Sequence, residues 1–311
     1  MAGTEAGGHP AATAVRGAAG LAALGLVFNA AVWGMSWWPL RHLEHAGLHP
    51  LWATTLIYLL AVVVITAVRP QAWRDLFSTP VLWVLVLAAG TTNASFNWAV
   101  TVGDVVRVVL LFYLMPLWAV LLARVLLGER LTAAAGVRVL MALAGAVAVL
   151  WPPEGLAEGG LPLPRNLAEA LSVLGGFSFA LNNVMLRREA HRPESARALA
   201  MFLGGAVVAG GLAAAMAASG TATASGPMPW VPPPAAAWVW PALALGAAFL
   251  LSNLALQYGA ARLPANVTAI VMLTEVLFAS VSAVLLGAGV VTLPLVLGGA
   301  LIVGAALLAV R

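Results

Sequence analysis

Long apolar runs alternate with short polar breaks along the whole chain. A helix crosses the hydrocarbon core of a bilayer with roughly 20 apolar residues. Runs of about that length recur at 17–40, 51–68, 80–101, 105–127, 133–151, 167–187, 197–218, 236–258, 264–286 and 291–310. The pattern predicts an all-α integral membrane protein with ten transmembrane helices. Polar and aromatic positions are unevenly shared among them. Span 1 carries Asn29, Trp33, Ser36 and Trp37, which fall on one helix face. Span 3 carries Asn93, Asn97 and Thr101, one per turn, with Trp98 beside them. Span 4 holds Tyr113 and Pro116, span 6 Asn182 and Asn183, span 8 Asn253 and Gln257, and span 9 Thr268, Met272 and Glu275. Spans 2, 5, 7 and 10 are apolar or built from small residues. Side-chain amides in hydrocarbon need partners or a wet cavity. The division therefore predicts spans 1, 3, 4, 6, 8 and 9 as an inner ring around a central cavity, with the other four facing lipid.

A longer period lies over this pattern. The stretch from Phe112 to Thr132 contains Leu114-Met115-Pro116 and closes on Leu127-Gly128-Glu129-Arg130-Leu131. It returns, weakened, between Leu273 and Gly287. Laying Gly128 over Gly287 sets Pro116 opposite Glu275 and Val125-Leu126-Leu127 opposite Val284-Leu285-Leu286. Laying Arg187 over Arg41 sets Phe179 on Trp33 and Asn182 on Ser36. Asn253 and Gln257 match Asn93 and Asn97. A single return after half a chain points to a duplicated membrane protein. Each copy has five spans, an odd number, so the second inserts upside down. The expected organisation is a tail over 1–16, disordered and cytoplasmic, a first five-helix repeat over 17–151, a periplasmic linker over 152–166 and a second five-helix repeat over 167–311.

Composition supports the membrane reading and sets the orientation. Of 311 residues, 62% are hydrophobic and 8% charged, with a mean hydropathy of +0.99. A soluble domain carries about 25% charged residues. All 15 basic residues are Arg. With the N-terminus in the cytoplasm, 12 of them fall inside and only Arg41, Arg107 and Arg165 outside. Positive charge retained inside is the usual bias, so both termini are expected in the cytoplasm. The net charge of +4 follows from this bias and implies no nucleic-acid partner. There are no cysteines, so the sequence says nothing about redox or thiolate-metal chemistry.

Candidate chemistry is sparse. Glu275 is the one acid deep within a span, where a carboxylate costs a few kcal/mol. It reads either as a site for a substrate ammonium or a proton, or as a structural group bonded to a neighbouring amide or hydroxyl. Asn29, Asn93, Asn97, Asn182, Asn183, Asn253 and Gln257 could read polar substrate groups or could tie helices together. Trp33, Trp98 and Tyr113 could stack on a flat or cationic group or simply pack. Pro116 removes a backbone hydrogen bond and is expected to kink span 4. Asp104 reads as the cap of that span. His42, His45 and His49 are spaced as metal ligands could be, but a solvated loop is the preferred reading, so no metal and no cofactor is expected. Phosphorylated substrates want Arg or Lys clamps, and only Arg107 could approach the cavity. A zwitterionic, neutral or cationic substrate is favoured.

Trp33-Gly34, the Leu114-Met115-Pro116 kink with its Leu-Gly-Glu-Arg-Leu close, and the weaker second copy together resemble the EamA-type members of the drug/metabolite transporter superfamily. The resemblance runs from about Gly17 to Val310. It departs from the family at Gly287-Ala288-Gly289, which lacks the Gly-Glu ending, and at Val276 after Glu275. The resemblance implies two inverted five-helix repeats around a central cavity, and export of amino acids, metabolites or toxic compounds. The expected function is a secondary transporter of the bacterial inner membrane exporting amino acids or similar small metabolites, drug-like cations included, by alternating access. A proton-coupled multidrug antiporter is the alternative. A non-transport membrane protein, structural or partner-binding, is less favoured, as is an intramembrane enzyme, because no His or second acid lies near Glu275 in sequence. The partners expected are a small-molecule substrate and the lipid bilayer; the oligomeric state is left open, and a monomer would suffice.

Overall fold

In the computed structural model the apolar runs are helices. The structure describes residues 9–128, 132–149, 163–223, 226–260, 271–272 and 274–309; the side chains of residues 9–19, Pro116, Ala135, Gln257, Ala260, Ala306 and Ala309 stand outside that description. The first half comprises α1 (His9–Met35), α2 (Trp37–His45), α3 (Pro50–Val68), α4 (Gln71–Phe77), α5 (Leu82–Val102), α6 (Val105–Phe112), α7 (Met115–Leu126) and α8 (Ala133–Val149). The second half comprises α9 (Leu167–Arg188), α10 (Glu194–Ala218), α11 (Ala236–Ala260), α12 (Thr274–Leu285) and α13 (Leu293–Ala309). A two-stranded hairpin, β1 (Ala222–Thr223) with β2 (Gly226–Pro227), stands between α10 and α11.

Six helical stretches are long and apolar enough to cross a bilayer: 20–45, 50–68, 105–126, 167–188, 194–218 and 236–256. A seventh is α4 with α5, bent by 104° at their junction. Three shorter apolar helices, Gly136–Val149, Thr274–Leu285 and Leu293–Ala305, complete the set among the described residues.

Two sequence expectations change here. The tail is helical from His9 onward rather than disordered through residue 16. The first span does not stop at Pro39, and 41–45 is no loop. The helix breaks at Ser36, whose backbone N–H and hydroxyl both turn back to the Trp33 carbonyl, and resumes as α2. Pro39 falls in the first turn of the new helix, where its missing N–H costs nothing.

Local caps fix the helix starts. His49 caps α3 by accepting from Leu51 N–H on Nδ1 at 3.2 Å, with Pro50 in the first turn. Burial pushes the His49 imidazole down to about 4, so the ring stays neutral and its acceptor nitrogen available. Asn166 caps α9 by accepting from Glu169 N–H at 2.9 Å, and Glu169 Oε2 accepts from Arg165 N–H, one residue before the cap, at 2.9 Å.

The packing pairs the halves. α5 lies along α9 and α10, and α11 lies along α1 and α3. α6 and α7 pack on α9, and α12 packs on α1. α8 pairs with α13, and α3 with α10. Glycines allow the closest crossings: an added Cβ at Gly145 would stand 2.7 Å from the Gly298 carbonyl oxygen, and one at Gly259 2.7 Å from that of Ala22. Helix pairs in lipid gain from such close backbone contact because they have no hydrophobic drive to associate.

Candidate functional site

The inner helices enclose a cavity of about 530 Å³. Seven aromatic residues stand among the described residues that line it. Trp33 of α1 stacks on Phe249 of α11 at 4.4 Å between centroids and meets Phe96 of α5 edge-on. Phe112 bridges Phe96 and Phe179 at 4.8 and 5.4 Å. Tyr58 and Phe202 close another side, 5.8 Å apart. Asn183 is exposed and stands where the cavity meets the outside of the bundle.

One carboxylate faces this space. Glu275 is buried, and among the described lining residues it is the sole charged side chain. Its Oε2 accepts a hydrogen bond from the Tyr113 hydroxyl at 3.1 Å. Tyr113 occupies the gap between α6 and α7, so its position depends on the interruption of span 4. Pro116, in the first turn of α7, offers no N–H to the Phe112 carbonyl four residues back. Gly176 of α9 lies against that carbonyl so closely that any Cβ would collide with it. Glu275 is set in the same way from the opposite side: a Cβ on Gly34 would stand 2.7 Å from its backbone oxygen.

The amides divide into used and unused. Asn93 accepts from the Tyr58 hydroxyl and donates to the Ala89 carbonyl at 2.7 Å. Asn253 donates to the Phe249 carbonyl at 2.8 Å. Asn29 is 1% exposed, and neither of its amide atoms has a partner among the described residues; the oxygens of buried Asn182 and Asn97 also lack one there. A buried polar group left unpaired costs about 1–3 kcal/mol; of these residues Asn29 and Asn182 line the cavity, where a polar ligand could reach them.

Of the residues singled out from sequence, the cavity brings together Asn29, Trp33, Asn93, Tyr113, Asn182, Asn183, Asn253, Met272 and Glu275. Asn97 and Trp98 go elsewhere. Asn97 donates to Thr54 Oγ1 at 3.0 Å, tying α5 to α3, and Trp98 packs edge-on against His49 at 5.4 Å. One turn along a wall helix is enough to pass from the cavity to its sealed end. Gln257 lies in α11, its side chain outside the described residues, as are Thr268 and the Glu129–Leu131 close of the motif. Arg107 does not approach the cavity: its Nε stands 2.6 Å from Glu169 Oε1, joining α6 to α9. The two-ring division needs correcting. Tyr58 of span 2 and Met201 and Phe202 of span 7 line the cavity. A tyrosine in an otherwise plain apolar run was the signal for the first; nothing in the pattern marked the second.

Residues 20–151 match the model of the EamA-like transporter family. The chain is similar to the chloramphenicol-sensitive protein RarD of Pseudomonas aeruginosa, 34% identical over 122 residues. That alignment covers 36% of this chain and 40% of RarD, so the chain spans less than half the length of the curated relative it matches. A solved structure described as "Crystal structure of protein" superposes with a TM-score of 0.57 at 20% identity, covering 93% of this chain and 96% of that one. At that identity the likeness is one of fold.

Proposed function

We propose that this chain, whose residues 20–151 match the EamA-like transporter family, is a membrane transporter of that type in the drug/metabolite transporter superfamily. The chain is a secondary transporter that exports amino acids or similar small amine-bearing metabolites by alternating access. The carrying observation is one buried carboxylate, Glu275, in an aromatic wall that also presents the unpaired amide of Asn29. A carboxylate pairs with an ammonium, ring faces attract the same cation, and the amides take the remaining polar end. Arg and Lys are absent from the described lining residues, which disfavours phosphorylated substrates.

The ten-helix inverted arrangement is part of this reading. Ten apolar helices or bent pairs support it, as does the reciprocal packing in which α5 on α9 and α10 is answered by α11 on α1 and α3. The Arg distribution supports cytoplasmic termini in a bacterial inner membrane. One chain walls the cavity, and the reading takes the monomer as the working unit. A proton-coupled multidrug antiporter is the second reading. It is favoured by the seven aromatic residues in the wall and by a relative named for sensitivity to chloramphenicol.

Counterflow into vesicles holding only this protein, over a panel of labelled amino acids and organic amines, tests both. For an ammonium site, Glu275→Gln loses affinity at every pH. For proton coupling, it still exchanges substrate but loses acceleration by a pH gradient. A mutant equal to wild type in affinity, rate and pH response refutes both roles.

A further inference from the structure

Asp104 uses its two oxygens in two directions. Oδ1 accepts from Arg107 N–H at 2.9 Å and caps α6. Oδ2 accepts from Val290 N–H at 3.1 Å, reaching the turn between α12 and α13. Beside it, Val105 N–H donates to the Ala288 carbonyl at 3.4 Å. A first-turn N–H has no acceptor within its own helix, so it is available for this crossing.

The turn fits because of its glycines. Gly287 ends α12 in the left-handed region, with φ +68°. Gly289 lies against α6, where an added Cβ would stand 2.9 Å from Val106 Cγ2. Gly287-Ala288-Gly289, the departure from the Gly-Glu close of the first copy, thus has the shape of a docking turn.

Neighbouring bonds draw the same end together. Trp37 Nε1 donates to Ser282 Oγ at 2.9 Å, joining α2 to α12. Arg41 donates from Nε to the Val100 carbonyl at 3.1 Å and from a terminal nitrogen to that of Gly103. A polar pocket lined by Arg41, Glu44, His45, Asp104 and the 287–290 turn opens onto these bonds from outside. The tie is therefore in reach of water, and breaking it leaves its groups solvated rather than stranded in lipid.

We propose that the bond from Val290 to Asp104 is the closed latch of this end of the transport pathway, made and broken in each cycle. Asp104 is a positioning residue; it touches no substrate. Its cap on α6 persists when the latch opens. The meaning of the latch rests on the transport reading, but its first test uses no substrate.

Asp104→Ser keeps a good N-cap and is too short to hold Val290. The chain has no cysteine, so single introduced cysteines report access. In vesicles, Val290→Cys, at an exposed position, identifies the latch face to a membrane-impermeant maleimide. Ala119→Cys, on the cavity wall, reports passage into the cavity. With Asp104→Ser added, labelling of Ala119→Cys from the latch face is expected to rise roughly ten-fold, the scale of one lost hydrogen bond to a charged group. Labelling from the other face is expected not to rise. An unchanged latch-face rate with a lower Tm would mean a cap only and would overturn the proposal. Should Asp104→Ser fail to fold, Val290→Pro removes the donor and leaves Asp104 in place, with the same rise expected and the same overturning result. The converse test oxidises the pair Val106→Cys and Gly289→Cys. The cross-linked protein is expected to bind substrate but stop counterflow until reduced, and undiminished counterflow when cross-linked would overturn the latch. A wild type that transports nothing would defeat the transport reading and leave the labelling result to decide the latch.

Discussion

Tyr113, at the break in span 4, and Glu275, in the first turn of α12, lie 162 residues apart in the chain and meet across the cavity. The Tyr113 hydroxyl donates to Glu275 Oε2 at 3.1 Å and stands 3.4 Å from the Met272 carbonyl. It holds the carboxylate in one orientation toward the cavity. Tyr113→Phe keeps the ring and its packing and removes this bond. A hydrogen bond to a charged group contributes about 1.5–3 kcal/mol, so an amine substrate is expected to bind roughly ten-fold more weakly. Equilibrium binding to the purified protein checks this. Wild-type affinity in the mutant would mean that Glu275 needs no orienting partner.

Gly34 is where α1 and α12 come closest beside that carboxylate. An added Cβ would stand 2.7 Å from the Glu275 carbonyl oxygen, 2.8 Å from Phe278 Cβ and 3.0 Å from Ala279 N. Two of these neighbours are backbone atoms and cannot step aside. Gly34→Ala is expected to cost about 1–3 kcal/mol, as other overpacked contacts do, and to lower Tm in detergent. Gly20→Ala, with nothing within 4 Å of its added Cβ, is the control and is expected to lose no stability. Equal Tm values for the two variants would remove the close crossing from the account.

The helices were legible because hydropathy in lipid is a long, strong pattern that local detail cannot override. The break in span 4 was legible because Pro116 removes a specific bond. What stayed hidden was set by rotation and depth of the helices. Asn93 and Asn97 share a face, yet only Asn93 lines the cavity, since Asn97 sits one turn on and finds Thr54. Met201 and Phe202 read as ordinary apolar residues until the packing of α10 on α3 turns them inward. Asp104 was legible as a cap from its position before a helix, whereas its second bond to Val290 depends on a turn 186 residues away.

The two ends of the bundle differ in chemistry in a way that bears on orientation. The latch end carries Asp104, Glu169 and the hairpin, and the opposite end carries α4 and the turn with Arg187, Arg188 and Arg192. In the proposed orientation, positive charge is held inside and the second of these ends faces the cytoplasm. Reporter fusions after Arg74, Arg138 and Arg192 are expected to read cytoplasmic, and fusions near Glu158 and Gly226 periplasmic. One fusion on the wrong side would break the ten-span arrangement and the inversion of its second half.

Asn29 and Asn97 offer the sharpest separation of binding from architecture, since both are buried asparagines on cavity-wall helices. Asn97 is 0% exposed and donates to Thr54 Oγ1, whose own hydroxyl donates to the Pro50 carbonyl at 2.8 Å. Asn97→Ala breaks that chain and is expected to cost about 1–3 kcal/mol of stability, with substrate affinity unchanged. Asn29 has no side-chain bond to lose among the described residues. Asn29→Ala removes an unpaired amide from a buried wall, so Tm is expected to hold or rise. Its effect should appear in affinity instead, as a roughly five- to ten-fold loss, the scale of one net hydrogen bond. Thermal unfolding and equilibrium binding measured on the same two variants decide the matter. If Asn97→Ala loses affinity while Asn29→Ala binds as wild type, the substrate sits toward the sealed end of the bundle and the cavity around Glu275 is not where it is recognised.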